Sequence, residues 1–268
     1  MKTINLDKVN KESLDNHTSK GNQPKWHHED CWYKADHLGY EALSEVLISS
    51  LLFKSNIEDY VIYEPIQIKY QDKELVGCYS KNFLNNDEQL IPLEKLHRSY
   101  FGYGLGEAIS KISNVEEKIK YTVQFVQEKT GLSDFDTYLV RMLELDAIML
   151  NEDRHSNNIA VIRNDTTGAF SLCPIFDNGC ALLSDMTEYE LSGDIYKQIE
   201  RVEAKPFTHK IDDQIEALYN IYKPQLKLHF TKKDVDAILI QFEGLYSEQI
   251  INRVRNVIFE QMRKYNIK

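Results

Sequence analysis

The sequence predicts an α+β fold: a small N-terminal lobe rich in strands that carries one helix, residues 1–80, and a larger, mainly helical lobe, residues 81–268. Three observations lead there. Strand-like segments dominate before residue 80, at Cys31–Asp36, Tyr60–Tyr70 and Glu74–Tyr79, around a single helical segment at Tyr40–Phe53. Helical segments dominate after it, at Asn114–Thr130, Asp134–Leu150, Asp212–Tyr222, Lys233–Phe242 and Gln249–Arg263. A polar, Asn-rich connector, Lys81-Asn-Phe-Leu-Asn-Asn-Asp87, follows the last N-terminal strand and reads as a hinge.

In order, residues 1–16 are polar and weakly patterned, with room for one edge strand. Thr18-Ser-Lys-Gly-Asn-Gln-Pro-Lys25 then gathers small and polar residues around Gly21. Such a tight turn lets backbone N–H groups approach a phosphate, or serves as a plain hairpin loop. In Cys31-Trp-Tyr-Lys-Ala-Asp36, Lys34 stands mid-strand between apolar residues, where an ammonium is costly to bury without a negative partner. Glu41 and Glu45 share a face of the following amphipathic helix, and either can supply it, although Glu41 also suits the helix dipole. The pattern His27-His-Glu-Asp-Cys31 suggests metal ligands, but alternate residues of a hairpin point to opposite faces. Phe101-Gly-Tyr-Gly-Leu-Gly106 follows no strand and lacks the acidic residue of a dinucleotide site, so it reads as a flexible loop. Asn114 caps the next helix and Gly131 ends it. The helix Asp134–Leu150 is apolar almost all round, which marks a buried spine. Ser184–Val202 reads as a mobile loop or short helix.

Composition narrows the function classes. Of 268 residues, 42% are hydrophobic and 28% charged, the profile of an ordinary globular protein. A net charge of −10 opposes direct nucleic-acid binding and docking on an anionic membrane. No signal peptide and no run long enough to span a bilayer is recognised. The four cysteines, Cys31, Cys78, Cys173 and Cys180, form no C-x-x-C pair and read as reduced thiols of a cytoplasmic protein.

Chemistry concentrates in Leu145–Leu183. The buried spine leads into a loop with Asp153, Arg154, His155 and Asn158, then two strands, Ile159–Ile162 and Ala169–Cys173, joined by Asn164-Asp-Thr-Thr-Gly168, and then Asp177-Asn-Gly179. Asp153 and Asn158 are five apart, so one tight loop can aim both at a pocket. Antiparallel pairing is expected to return Asp177 towards Asn158. One carboxylate orienting a hydroxyl, with an amide and a second carboxylate holding a metal, suits phosphoryl transfer. The same carboxylates also fit a metal-dependent hydrolase.

Together, Ser19-x-Gly21-x-Gln23-Pro24-Lys25, Trp32-Tyr-Lys-Ala-Asp36, Gly39-Tyr-Glu41, Asn151-x-Asp-Arg-His-x-x-Asn158 and Phe176-Asp177 resemble the bacterial HipA-like serine/threonine kinases over about residues 15–185. The resemblance implies a two-lobed kinase-like fold that uses ATP and Mg2+. It makes Asp153 the catalytic base, Asn158 and Asp177 the magnesium ligands, and Lys34 the phosphate-binding lysine with Glu41 as its partner. It makes Thr18, Ser19, Gly21, Gln23 and Lys25 the phosphate loop, and Cys78, Tyr79 and Ser80 the hinge that reads adenine. His155 joins the nucleotide-binding set. It further implies a protein substrate with a Ser or Thr acceptor, self-phosphorylation at Thr18 or Ser19, and an antitoxin partner. The motif order of the large lobe is also similar to that of phosphoinositide kinases, and a catalytically degenerate binding module is the third reading.

Overall fold

The computed structural model of the chain describes residues 2–10 and 23–267. In chain order its elements are β1 (Lys2–Asn5), β2 (Lys25–His28), β3 (Cys31–Ala35), α1 (Glu41–Leu52), β4 (Glu64–Tyr70), β5 (Lys73–Lys81) and β6 (Glu88–Pro92). Next come α2 (Leu93–Phe101), α3 (Leu105–Ser110), α4 (Val115–Thr130), α5 (Phe135–Met149), β7 (Ala160–Asn164) and β8 (Phe170–Leu172). The chain closes with α6 (Ile195–Glu200), α7 (Ile211–Ile221), α8 (Lys232–Leu239), a 3₁₀ turn at Ile240–Phe242, and α9 (Glu248–Lys264). This is the α+β class that the sequence predicts, with strands first and helices after.

The chain forms two compact units. The first comprises Met1–Asn82, Asp177–Arg201 and Leu228–Lys268, the second Phe83–Phe176 and Val202–Lys227. The sequence places one division, after residue 80. Its first crossover falls there, at Asn82–Phe83, but residues 177–201 and 228–268 group with the N-terminal strands.

In the first unit the sheet order is β1-β4-β5-β3-β2. β1 runs parallel to β4, and the other pairs are antiparallel. Trp26, Tyr33, Ala35, Ile66 and Ile68 alternate inward with Leu6 to form one core cluster. Gly77 on β5 faces Ala35 across the ladder, and a Cβ there would collide with the Lys34 carbonyl. α1 starts and ends within a residue of expectation, yet it is not amphipathic: 11 of its 12 residues are buried, including Ser44, Glu45 and Ser49. It packs against β5 on one side and α8 on another, so polar residues on either face lose solvent. Arg253 of α9 ties in the segment after Asp177, donating to the Tyr189 carbonyl at 3.1 Å and the Glu190 carbonyl at 2.8 Å. Within Ser184–Val202 lies α6, capped by Asp194, which accepts from the Tyr196 N–H at 2.9 Å.

In the second unit β6, β7 and β8 form an antiparallel sheet in that order. β7 and β8 are the expected hairpin, whereas β6 carries no strong sequence signal. α5 buries 12 of its 15 residues, as its all-round apolar pattern requires. Asn114 caps α4 by accepting from the Glu117 N–H at 2.9 Å, and Gly131 ends it at φ +78. The Phe101–Gly106 stretch differs from expectation. Phe101 belongs to α2, Gly102 is its left-handed cap, and α3 begins at Leu105. Glu94 accepts from the Gly106 N–H at 2.9 Å, and a Cβ on Gly104 would collide with that carboxylate. Gly104 and Gly106 therefore admit a part-buried contact.

No helix of the described residues is long and apolar enough to cross a membrane. All four cysteines are free thiols.

Asp36 makes the first unit pH-sensitive. It accepts from the Ala42 N–H at 2.7 Å at the start of α1 and from the Tyr246 hydroxyl at 2.6 Å. Burial pushes its carboxyl up to about 7, against these two hydrogen bonds. The unfolded chain releases this proton near pH 3.8, so between about 4 and 7 the folded state holds more protons and its stability falls as pH rises. Asp36→Asn removes that dependence. The thermal midpoint of the variant relative to the parent is expected to climb by ~3 °C between about pH 5 and pH 8. A difference independent of pH contradicts the assignment.

Candidate functional site

The first unit assembles a buried charge cluster around Lys34. Strand alternation turns Lys34 to the face of β3 opposite Tyr33 and Ala35, where α1 covers it, and it is 7% exposed. Its ammonium bonds Glu45 of α1, meets Asp177 Oδ1 at 2.6 Å, and lies 5.0 Å from the centre of the Tyr63 ring. Burial alone draws the Lys34 pKa down; Asp177 and Glu45 outweigh it and hold the ammonium well above its usual range. Glu45, fully buried, uses its other oxygen to accept the Asn178 N–H at 2.8 Å. Lys25 of β2 approaches the same Asp177 oxygen at 3.7 Å. Asp177 sits at φ +62, a left-handed conformation that Asp tolerates better than most residues.

The expected partner Glu41 is not part of this cluster. Its carboxylate accepts backbone N–H groups of His37, Leu38 and Gly39, at 3.3, 2.7 and 3.1 Å. In the first turn Glu41 faces back along the chain and satisfies the turn before the helix. Glu45, one turn on, is the residue that reaches β3.

Of the expected hinge, Cys78 pairs with Lys34 and Pro65, and Tyr79 with Tyr33 and Glu64, so strands flank both residues. Ser80 pairs with Trp32 alone, and β5 continues to Lys81 rather than ending there. Burial raises the Cys78 thiol pKa well above its ordinary value, which makes it inert. Thr18, Ser19 and Gly21 lie outside the described residues. Gln23 is 8% exposed, and its amide nitrogen meets no partner among the described residues.

The second unit holds the loop after α5. Asp153 and Asn158 come together as their spacing predicts: the Asn158 amide donates to the Asp153 carbonyl at 2.8 Å and to its carboxylate at 3.3 Å. That orientation leaves the Asn158 carbonyl oxygen as the atom suited to a hard cation. His155 Nε2 stands 3.6 Å and Lys205 Nζ 3.4 Å from Asp153 Oδ1. Asn158 is in the second unit and Asp177 in the first.

Arg154 is the support that sequence reasoning missed. It is wholly buried and grips Asp146 of α5 through two bonds, at 2.9 and 3.0 Å. Its Nη1 donates to the backbone carbonyl of Asn158 at 3.1 Å, not to its side-chain oxygen, and to the backbone carbonyl of Phe176 at 2.8 Å, tying the loop to the end of the hairpin. Asn151 adds a bond to Asp146 at 2.8 Å and accepts the Asp153 N–H at 3.1 Å. A signal existed: Asp146 interrupts the apolar run of the spine, and a carboxylate there needs a cation. Asp146→Ala leaves the guanidinium buried and unpaired, and is expected to cost about 3–5 kcal/mol in urea unfolding, with Asp146→Ala/Arg154→Met recovering part of it. A loss under about 1 kcal/mol contradicts the role given to this pair.

Neither a family model nor a curated protein matches the sequence. Among solved structures, the proinflammatory kinase CtkA of Helicobacter pylori is similar: the TM-score is 0.64 at 16% identity, covering 98% of this chain and 94% of that one. The chain has a kinase-like fold.

Proposed function

We propose that the chain is an ATP- and magnesium-dependent phosphotransferase of HipA-like type that acts on Ser or Thr hydroxyls of a protein. The observation that carries this reading is the buried Lys34 ammonium, held charged by Glu45 and Asp177. A buried ammonium next to a metal-ligand type of carboxylate suits nucleotide phosphates. The kinase-like fold and the Asp153–Asn158 pair support it further.

In this proposal Lys34, aided by Lys25, binds phosphate oxygens. Asp153 accepts a hydrogen bond from the acceptor hydroxyl and takes its proton as the new O–P bond forms, while the bond from the γ-phosphorus to the bridging oxygen breaks and ADP leaves with that electron pair. Lys205, against Asp153, offers positive charge to the transferred group. Asn158 and Asp177 offer an amide oxygen and a carboxylate, the oxygen donors magnesium takes, and the ion would neutralise charge on the phosphates. Arg154 holds the loop in shape without touching substrate. Thr18 or Ser19 is the proposed site of self-phosphorylation.

Transfer from labelled ATP to a protein substrate or to the chain itself tests the reading. Asp153→Ala is expected to slow transfer by about 10²–10⁴-fold, and Asp177→Ala to do at least as much. Undiminished transfer in both variants contradicts the assignment. Saturating Mg·ATP is expected to raise the thermal midpoint of the parent, and the absence of a shift at ~100 times the expected dissociation constant contradicts nucleotide binding.

A further inference from the structure

Beside Asp153, the second unit carries a cavity of about 420 Å³. Its size is that of a small-ligand or side-chain site. Lys118, Lys205 and His155 line it, as do Ile109, Val115 and Phe207. Ser156 and Thr208 add hydroxyls, and His209 stands at the rim. Among the described residues no Asp or Glu lines the cavity, although acidic residues outnumber Lys and Arg 42 to 32 in the chain. Asp153 stands 3.4 Å from the Lys205 ammonium and 3.6 Å from the His155 ring, and Glu203 stands 3.5 Å from the His209 ring.

The walls are built rather than incidental. The buried Gln214 side chain donates to the Lys205 carbonyl at 3.1 Å and accepts the Phe207 N–H at 3.2 Å. Lys118 reaches across from α4 to the Phe207 carbonyl at 3.0 Å. Glu94, which does not itself line the cavity, supports two residues that do, accepting from the Ser156 hydroxyl at 2.7 Å and from the Gly106 N–H. Of the glycines in Phe101–Gly106, which read as a flexible loop in the sequence, Gly106 lines the cavity.

Resting on the phosphotransferase reading, we propose that this cavity is the acceptor-side subsite and that it selects a peptide whose Ser or Thr is flanked by an acidic side chain. The acceptor hydroxyl faces Asp153. The flanking carboxylate enters among Lys118, Lys205 and His155, and the aliphatic part of the peptide covers Ile109, Val115 and Phe207.

Binding is measured without ATP, by fluorescence anisotropy of a labelled serine peptide flanked by Asp and Glu, beside its Asn/Gln counterpart and vesicles containing phosphoinositide. The acidic peptide is expected to bind the parent at least about fivefold more tightly than the neutral one, more so at low salt. Lys118→Gln, which keeps a donor for the Phe207 carbonyl, and His209→Gln, at an exposed position, are expected to erode the preference while leaving the thermal midpoint in place. With labelled ATP, Lys118→Gln is expected to raise KM for the acidic peptide and leave kcat unchanged. Equal binding of the two peptides, or a preference untouched by both variants, overturns the inference, as does vesicle binding without peptide binding. Selective peptide binding with no phosphate transfer upholds the subsite and sinks the phosphotransferase reading instead.

Discussion

The first unit depends on how a lysine is kept in a nearly dry place. An ammonium that strand alternation turns under a covering helix is unfavourable by several kcal/mol unless opposite charge meets it. Here two carboxylates meet it, from α1 and from the residue that opens the Asp177–Arg201 segment. One ion cluster thereby fastens a strand, a helix and a distant stretch of chain. It also fixes side chains around it: Glu45 spends its second oxygen on the Asn178 backbone, and Asp177 is drawn to Lys25 as well. The two carboxylates leave an excess of negative charge beside Lys34 that Lys25 offsets in part.

The second unit solves the same problem with a guanidinium. Arg154 has five donors in a planar fork, and the structure uses them on Asp146 and on two backbone carbonyls. A lysine could not tie a helix, a loop and a hairpin end in one plane. The loop that carries Asp153 is short of regular structure, so its rigidity comes from this network and from the buried spine beneath it.

Patterns with a strong period or a strong cap were legible in the sequence. The spine, the Asn114-capped helix, the β7–β8 hairpin and the Asp153–Asn158 pair follow from local chemistry over a few residues. What was not legible required knowledge of distant neighbours. Glu41 and Glu45 sit one turn apart on one helix, and only the packing of α1 on β3 and β5 decides which meets Lys34. Asp146 and Arg154 are eight apart and look unrelated until the helix ends and the loop doubles back. The sequence suggests one division after residue 80, because patterning reports local structure and not which later segments return to pack on earlier ones. Phe101–Gly106 misled in a related way: Gly102 supplies a left-handed helix cap, while Gly104 and Gly106 serve the close approach of Glu94.

The central claim is that the Lys34 ammonium is permanently charged and faces nucleotide phosphate. Nitrogen-15 NMR of the lysine side chains observes it directly. We expect the Lys34 Nζ signal to stay that of a charged ammonium above the usual lysine range, and to shift on addition of Mg·ATP. A signal that titrates at or below the ordinary lysine value, or that is unmoved by saturating Mg·ATP, contradicts the account.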